Sequence, residues 1–502
     1  MRLARLSHRA APRSTARATM RLSRLGLRAV LLTSLLAGCT VGPDYKRPTV
    51  AVPAQFKEAA PGWKTAQPDD QSTRGPWWEV FNDTELNALE VRVNAANQTV
   101  ASFEAAYRQA NALVSQANAA YFPTLGLSAS STRSKSSAAS FNTGNTNVST
   151  PGRISNDYST SLDASWEPDL WGKIRRQVAG NKDSAQSAAA NLANAQLSAQ
   201  GTLAQTYFQL RALDAAQELL DSTVVAYQKS LDLTVNRYNQ GVAARSDVLT
   251  AQTQLQQAQA AALDNGILRA QYEHAIAVLI GEPASTFTLA PVPLAATPPA
   301  IPSQLPSTLL ERRPDVAAAE RNAAAANEQI GVAISAYYPT LTLSASGGFE
   351  SSAISNWLTA PARFWTLGPQ LAGTLFDGGL RAAQTDAARA TYDQNVATYR
   401  GTVLSAFQDV EDNLASLRIL AQEIEIDRAA AQSADQALDI LLNQYKAGTA
   451  TYLQVIVAQA TAYSAHRTLV NANGSRMVSA VGLIKALGGG WDASELSVAK
   501  HG

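Results

Sequence analysis

The chain repeats itself. Ala120-Tyr121-Phe122-Pro123-Thr124-Leu125 returns as Ala336-Tyr337-Tyr338-Pro339-Thr340-Leu341, 216 positions later, and Glu104 and Asn111 match Glu320 and Asn327 at the same offset. Gly172 pairs with Gly379, and Tyr238-Asn239-Gln240-Gly241 with Tyr445-Lys446-Ala447-Gly448, both at an offset of 207. The nine-residue change falls between Leu125 and Gly172, so the first copy carries the longer loop. Matches recurring in order mark a duplicated supersecondary unit, which constrains architecture more than any local propensity does.

Each copy reads the same way. A helical stretch comes first (about 85–119 and 314–336), with Pro314 suited to a first helical turn. Two strand patterns then flank a polar loop. Tyr158, Thr160, Leu162, Ala164 and Trp166 alternate with Ser159, Ser161, Asp163, Ser165 and Glu167. Leu341, Leu343, Ala345 and Phe349 alternate likewise with Thr342, Ser344, Ser346 and Glu350. A period of two with one apolar face is that of a strand; 123–132 and 363–376 are the less regular candidates. Gly172 to Tyr238 and Gly379 to Tyr445 then run 66 positions without proline, about 100 Å of helix. Each run ends at a Tyr-x-x-Gly turn, and a second long helix returns (about 242–281 and 449–487). Roughly a fifth of the residues are Ala, which favours long, closely packed helices.

Strands of about ten residues with an apolar outer face fit a membrane β-barrel, although a soluble antiparallel sheet shares the pattern. Four strands cannot close a barrel, and open edges in lipid are not viable. Several chains must therefore contribute four strands each, giving eight, twelve or sixteen. Twelve strands from a trimer would enclose a passage continued by a ring of long helices.

The first residues are an address. Residues 1–28 hold eight arginines and no acid, followed by the apolar Ala29–Leu36 and then Ala37-Gly38-Cys39. This is a secretory signal pattern, and Leu36-Ala37-Gly38-Cys39 resembles a bacterial lipobox, in which Cys39 is lipidated and becomes the first mature residue. Met1 and Met20 are both candidate starts. By analogy with enteric lipoproteins, Thr40 in place of Asp permits sorting to the outer membrane. Without the eight signal arginines the chain holds 33 basic and 40 acidic residues, a formal −7. The single cysteine excludes disulfides and multi-thiolate metal sites, and His8, His274, His466 and His501 have no ligand spacing. No apolar run after residue 40 reaches about 18 residues, so no transmembrane helix is expected. The charge balance excludes a polybasic nucleic-acid binder.

These features resemble the TolC-like outer membrane factor family, in its lipoprotein (OprM/NodT) branch, over essentially all of the mature chain. The markers are Cys39-Thr40-Val41-Gly42-Pro43-Asp44-Tyr45, Trp77-Trp78 with Phe81, Trp166-Glu167-Pro168-Asp169-Leu170-Trp171-Gly172, Arg312-Arg313-Pro314-Asp315-Val316, Leu375-Phe376-Asp377-Gly378-Gly379 and Ala486-Leu487-Gly488-Gly489-Gly490-Trp491. The resemblance implies an α+β membrane protein, a homotrimer with a 12-stranded transmembrane β-barrel and a periplasmic α-barrel. It also implies a role as the outer membrane channel of a tripartite efflux system, passively conducting small molecules from an inner-membrane pump, usually of the RND class, and a periplasmic adaptor. The expected division is a signal peptide (1–38), an anchored equatorial segment (39–84), a first repeat (85–281), an equatorial linker (282–313), a second repeat (314–487) and a tail (488–502).

Site residues follow from the resemblance. Gly241, Val242, Ala243, Gly448, Thr449 and Ala450 match the periplasmic tips where adaptors dock, and the glycines are helix caps in any case. Tyr445 and Asp247 match a latch pair that holds the channel shut. Ser246 matches a second latch whose usual arginine position is Ala450; Arg245 is the available substitute. Where relatives place rings of aspartates, this chain has Gln454 and Val457, with Leu453 at an apolar constriction; simple packing between helices is the competing reading. Weaker cation selectivity and weaker divalent block are expected.

Catalysis is not expected. There is no Walker-type phosphate loop and no hydrolase triad signature, and no cofactor is implied. Asp409, Glu411 and Asp412 could suggest acid–base chemistry or a cation site, but a solvated helix face or polar helix contacts explain them better. Trp77-Trp78 could stack a sugar, but an equatorial anchor suits them better. Two alternatives stay open: a duct for type I protein secretion, and a non-conducting periplasmic lipoprotein scaffold.

Overall fold

A computed structural model describes residues 40–53, 55–58, 76–135, 137, 139–143, 146–150, 152, 154–294, 298–299 and 312–491. The signal segment and Cys39 lie outside these residues. The order is α1 (Thr84–Ala96), α2 (Gln98–Ala119), β1 (Thr124–Lys135), β2 (Ala139–Thr143), β3 (Thr146–Thr150), β4 (Ile154–Trp166), α3 (Lys173–Asn239) and α4 (Arg245–Leu279). The second repeat follows with α5 (Pro314–Ser335), β5 (Thr340–Ser351), β6 (Arg363–Ala372), α6 (Leu380–Ala447) and α7 (Tyr452–Ala486). The duplication is therefore structural: α3 and α6 have 67 and 68 residues, and α4 and α7 have 35 each.

Three expectations are corrected. The stretch 85–119 is two helices, because Asn97 leaves helical geometry (φ −67°, ψ 121°). Its Oδ1 accepts from the Thr99 and Val100 amides while its Nδ2 donates to the Leu279 carbonyl, so the side chain caps the second helix. The returning helices are shorter than 242–281 and 449–487, since the tip turns consume their first residues. The extra residues of the first copy form the β2–β3 hairpin rather than an open loop.

The chain divides into two compact units, each drawing on both repeats. The first comprises residues 1–46, 113–182 and 325–392 and contains the four-stranded antiparallel sheet β1-β4-β5-β6. Its anchor is Arg176, 6% exposed. The Arg176 guanidinium donates to both Glu328 carboxylate oxygens (3.1 and 3.0 Å), to the carbonyls of Val41 and Gly42 (3.3 and 3.1 Å) and to Asp44 (3.1 Å). Gly42 has φ +99°, and a Cβ there would lie 2.5 Å from the Gly331 Cα, so no other residue fits this contact. The segment that begins at Thr40 is thus bolted onto α5.

The second unit comprises residues 47–112, 183–324 and 393–502. Its core joins Trp77, Trp78 and Phe81 to Leu86, Leu89, Leu203, Tyr207, Phe208, Ile276, Met477 and Val481. Trp77 also donates from Nε1 to Gln200 Oε1 at 3.1 Å, so the tryptophan pair is an anchor, not a sugar platform. Asp214, buried, accepts from Arg211 (3.1 Å), Arg269 (2.7 Å) and the Val292 amide (3.0 Å), which fixes the start of the central linker. The acidic triplet is absorbed by polar contacts: Asp409 pairs with Arg313 at 3.0 Å, Glu411 accepts the Lys57 and Glu58 amides, and Asp412 accepts from Gln408.

Candidate functional site

The sheet sorts its side chains by face. In β1, Leu125 and Leu127 are 69% and 77% exposed, and in β6 Trp365, Leu367 and Leu371 are 66–80% exposed. Register places Leu127 opposite Leu162 and Leu343 opposite Trp166 and Pro369, so these residues share one apolar surface. The other face is polar. Asp163 accepts from Ser161 (2.7 Å) and Ser346 (2.6 Å), and Ser128 and Ser161 hydroxyls lie 2.8 Å apart. A soluble sheet buries its apolar face; this one displays it, as lipid requires. Both edges, β1 and β6, lack a strand partner among the described residues.

Aromatic residues collect where the strands meet the helices. Trp166 donates to the Tyr121 carbonyl (3.0 Å) and Trp171 to the Pro339 carbonyl (2.7 Å), and Trp171 stacks on Tyr338 at 4.9 Å. Phe122 and Phe376 are 69% and 88% exposed. Amphipathic rings at this level form the interfacial girdle of membrane proteins. Thr40 packs on Gly172 in the same region, and the Val41 amide donates to the Trp171 carbonyl (3.1 Å).

At the far ends of the long helices, Gly241 and Gly448 have φ +77° and +81°, and the Val242 and Thr449 amides close back on the Arg237 and Gln444 carbonyls. Both turns are exposed, Val242 by 62%. Tyr445 is buried; its ring lies 5.5 Å from that of Tyr452, and its hydroxyl is 3.4 Å from Thr234 Oγ1. No hydrogen bond joins Tyr445 to Asp247 among the described residues of the chain. Tyr452 is buried beside Tyr445, and burial raises its hydroxyl above the usual phenol range. Ser246 and Arg245 are exposed, and Ala450 is half-buried. Gln454 turns back to accept from the Thr451 amide (2.8 Å) in a capping box. Leu453 and Val457 are 68% and 58% exposed. Sequence reasoning missed Arg237: its guanidinium donates to the Tyr445 and Lys446 carbonyls (2.7 and 3.2 Å) and lies over the Tyr445 ring at 4.6 Å. The one available signal was a lone arginine beside the first Tyr-x-x-Gly, where the second repeat has Gln444.

The chain matches the family described as Outer membrane efflux protein over residues 89–282 and 305–489. It belongs to this family. The Pseudomonas putida protein named "Probable efflux pump outer membrane protein TtgC" is 29% identical over 468 residues, covering 91% of this chain and 94% of that protein. The Pseudomonas aeruginosa "Pyoverdine export outer membrane protein OpmQ" is 30% identical over 470 residues, covering 93% and 97%. The solved structure of the outer-membrane channel OprN superposes with a TM-score of 0.81 at 29% identity, covering 90% of this chain and 100% of that one. The efflux protein described here is accordingly an outer membrane channel reaching into the periplasm, and its family is one of channels, not of enzymes.

Proposed function

We propose that three copies close into a passive exit duct for small molecules, fed by a periplasmic adaptor and an inner-membrane pump of the RND class. The observation that carries this reading is the four-stranded sheet with two unpaired edges and an exposed apolar face. In lipid both edges must be covered, and pairing β6 of one chain with β1 of the next, three times over, gives a 12-stranded barrel. The tips Gly241–Ala243 and Gly448–Ala450 receive the adaptor, and their exposure favours this. Leu453, Gln454 and Val457 then ring the constriction, with Tyr445, Asp247 and Ser246 beside it. Cys39 carries the lipid: Thr40, its neighbour, packs beside the aromatic girdle, where acyl chains would enter the inner leaflet. The six segments given above remain the proposed division of labour.

The test is ion conductance. Protein purified from outer membranes should form discrete channels in planar bilayers, and tip substitutions Val242→Asp and Thr449→Asp should abolish efflux in cells without changing that conductance. A protein that inserts but never conducts would contradict the reading.

A further inference from the structure

Charge is segregated across the sheet with no exception in β1, β4, β5 or β6. The cations are Arg133 and Lys135 in β1 and Arg363 in β6; the acids are Asp157 and Asp163 in β4 and Glu350 in β5. Arg133 and Lys135 alternate in step with Leu125 and Leu127, and Arg363 with Trp365 and Leu367, so all three cations share the apolar face. Glu350 pairs in register with Ser159, and Asp163 with Ser346, so the acids share the polar face. Arg133, Lys135 and Arg363 are exposed and have no ion-pair partner among the described residues; Arg363 lies over the Phe349 ring at 5.8 Å. The connecting segments 136–153 and 352–362 contain no acidic residue that could neutralise them.

Height places these cations at a membrane surface. Lys135 lies ten residues beyond Leu125 in β1. At about 3.4 Å per residue and a tilt of about 40°, that is about 26 Å along the membrane normal, the height of a barrel's apolar band. The apolar face thus ends in a basic rim on the side opposite the aromatic girdle. The seam sharpens the placement. β1 ends at Lys135 and the antiparallel β6 begins at Arg363, so edge-to-edge pairing of neighbouring chains brings the end of β1 across from the start of β6. Directly opposed residues share a face.

We infer that Arg133 and Lys135 of one chain and Arg363 of its neighbour form a seam site, three per trimer, for the phosphate groups of outer-leaflet glycolipid. Two guanidinium forks and an ammonium match phosphate oxygens, and a membrane-facing rim presents them to lipid headgroups rather than to a solute in the lumen. The site rests on the trimeric barrel proposed above. Each cation near an anionic membrane surface contributes about fivefold in binding, on the order of a hundredfold for the three.

The experiment is native mass spectrometry of the purified full-length protein titrated with bisphosphorylated lipid A, with planar-bilayer conductance recorded on the same preparation. Lipid A should be retained, lost on its dephosphorylation, and displaced only weakly by millimolar inorganic phosphate. The triple variant Arg133→Gln/Lys135→Gln/Arg363→Gln should lose about a hundredfold in retention while conducting normally. Asp157→Asn/Asp163→Asn should leave retention unchanged. Equal retention by the triple variant, equal retention of dephosphorylated lipid A, or full displacement by inorganic phosphate would overturn the site. Loss of conductance by the wild type would overturn the channel reading instead.

Discussion

The duplication sets two helices side by side for comparison. α2 and α5 each have 22 residues, and Glu104 and Asn111 of the first match Glu320 and Asn327 of the second. Yet α2 buries only Val100, whereas α5 buries Val316, Ala318, Glu320, Ala323, Asn327 and Ile330. α5 finds its partner within the chain: Ser187 of α3 donates to the Ala318 carbonyl (3.1 Å), and Arg176 of α3 holds Glu328. The duplicate of that partner is the start of α6, and Ala383 there, which matches the buried Arg176, is exposed. One repeat is satisfied and its twin is not. The tips show the same asymmetry, with Tyr445 3% exposed and its twin Tyr238 40% exposed. A pair of unequal repeats is what a protomer looks like when half of its duplicated contacts are made with a neighbour.

The comparison is broken most severely at the seam. Phe103 and Leu113 of α2 are 38% and 46% exposed. Phe103→Glu with Leu113→Arg should shift the protein from trimer to monomer in size-exclusion chromatography. Gln329→Arg, at the position of α5 that matches Leu113, should leave the trimer intact. If both variants assemble equally, α2 is not an interface helix.

Next in size is the ion pair that satisfies α5. Glu328→Ala leaves Arg176 buried without its main partner and should cost about 3–5 kcal/mol of protomer stability in denaturant unfolding. Ala112→Ser, at the matching position of α2, should stay within about 0.5 kcal/mol.

Glu90 sharpens the contrast further. It is fully buried, neither carboxylate oxygen has a hydrogen-bond partner among the described residues, and burial pushes its pKa up to about 9. The unfolded chain releases this proton above its ordinary value of 4.5, while the folded chain holds it to about 9. Stability therefore falls as pH rises through that window. Glu90→Gln should remove the slope, raising the unfolding temperature at pH 8 and leaving it unchanged near pH 4.5. A variant whose unfolding temperature keeps the wild-type pH dependence would contradict this.

The smallest effect concerns the tips. Arg237→Ala removes the guanidinium from the Tyr445 and Lys446 carbonyls, a loss of about 1–1.5 kcal/mol, and should raise resting conductance. Gln444→Ala, its counterpart, should not.

Much of this was legible in the sequence because periodicity and punctuation carry it. Alternation in 158–167 and 341–350, glycines at 241 and 448, and the absence of proline from the long runs fixed strands, tips and helices. What stayed hidden depends on contacts between distant residues. Asn97 reads as an ordinary helical residue until Leu279 supplies its acceptor. Arg176 and Glu328 lie 152 positions apart, and no local pattern joins them. Arg237 looked like any solvated arginine near a helix end. The hydrogen bond of Tyr445 to Thr234 is likewise a property of packing and not of spacing.

The proposed trimer requires this chain to complete its sheet and its first repeat with two copies of itself. Native mass spectrometry of the protein extracted from outer membranes in mild detergent measures that directly. An assembly of three chains that persists on dilution is expected. A stable monomer, or a closed assembly of two or four chains, would contradict it.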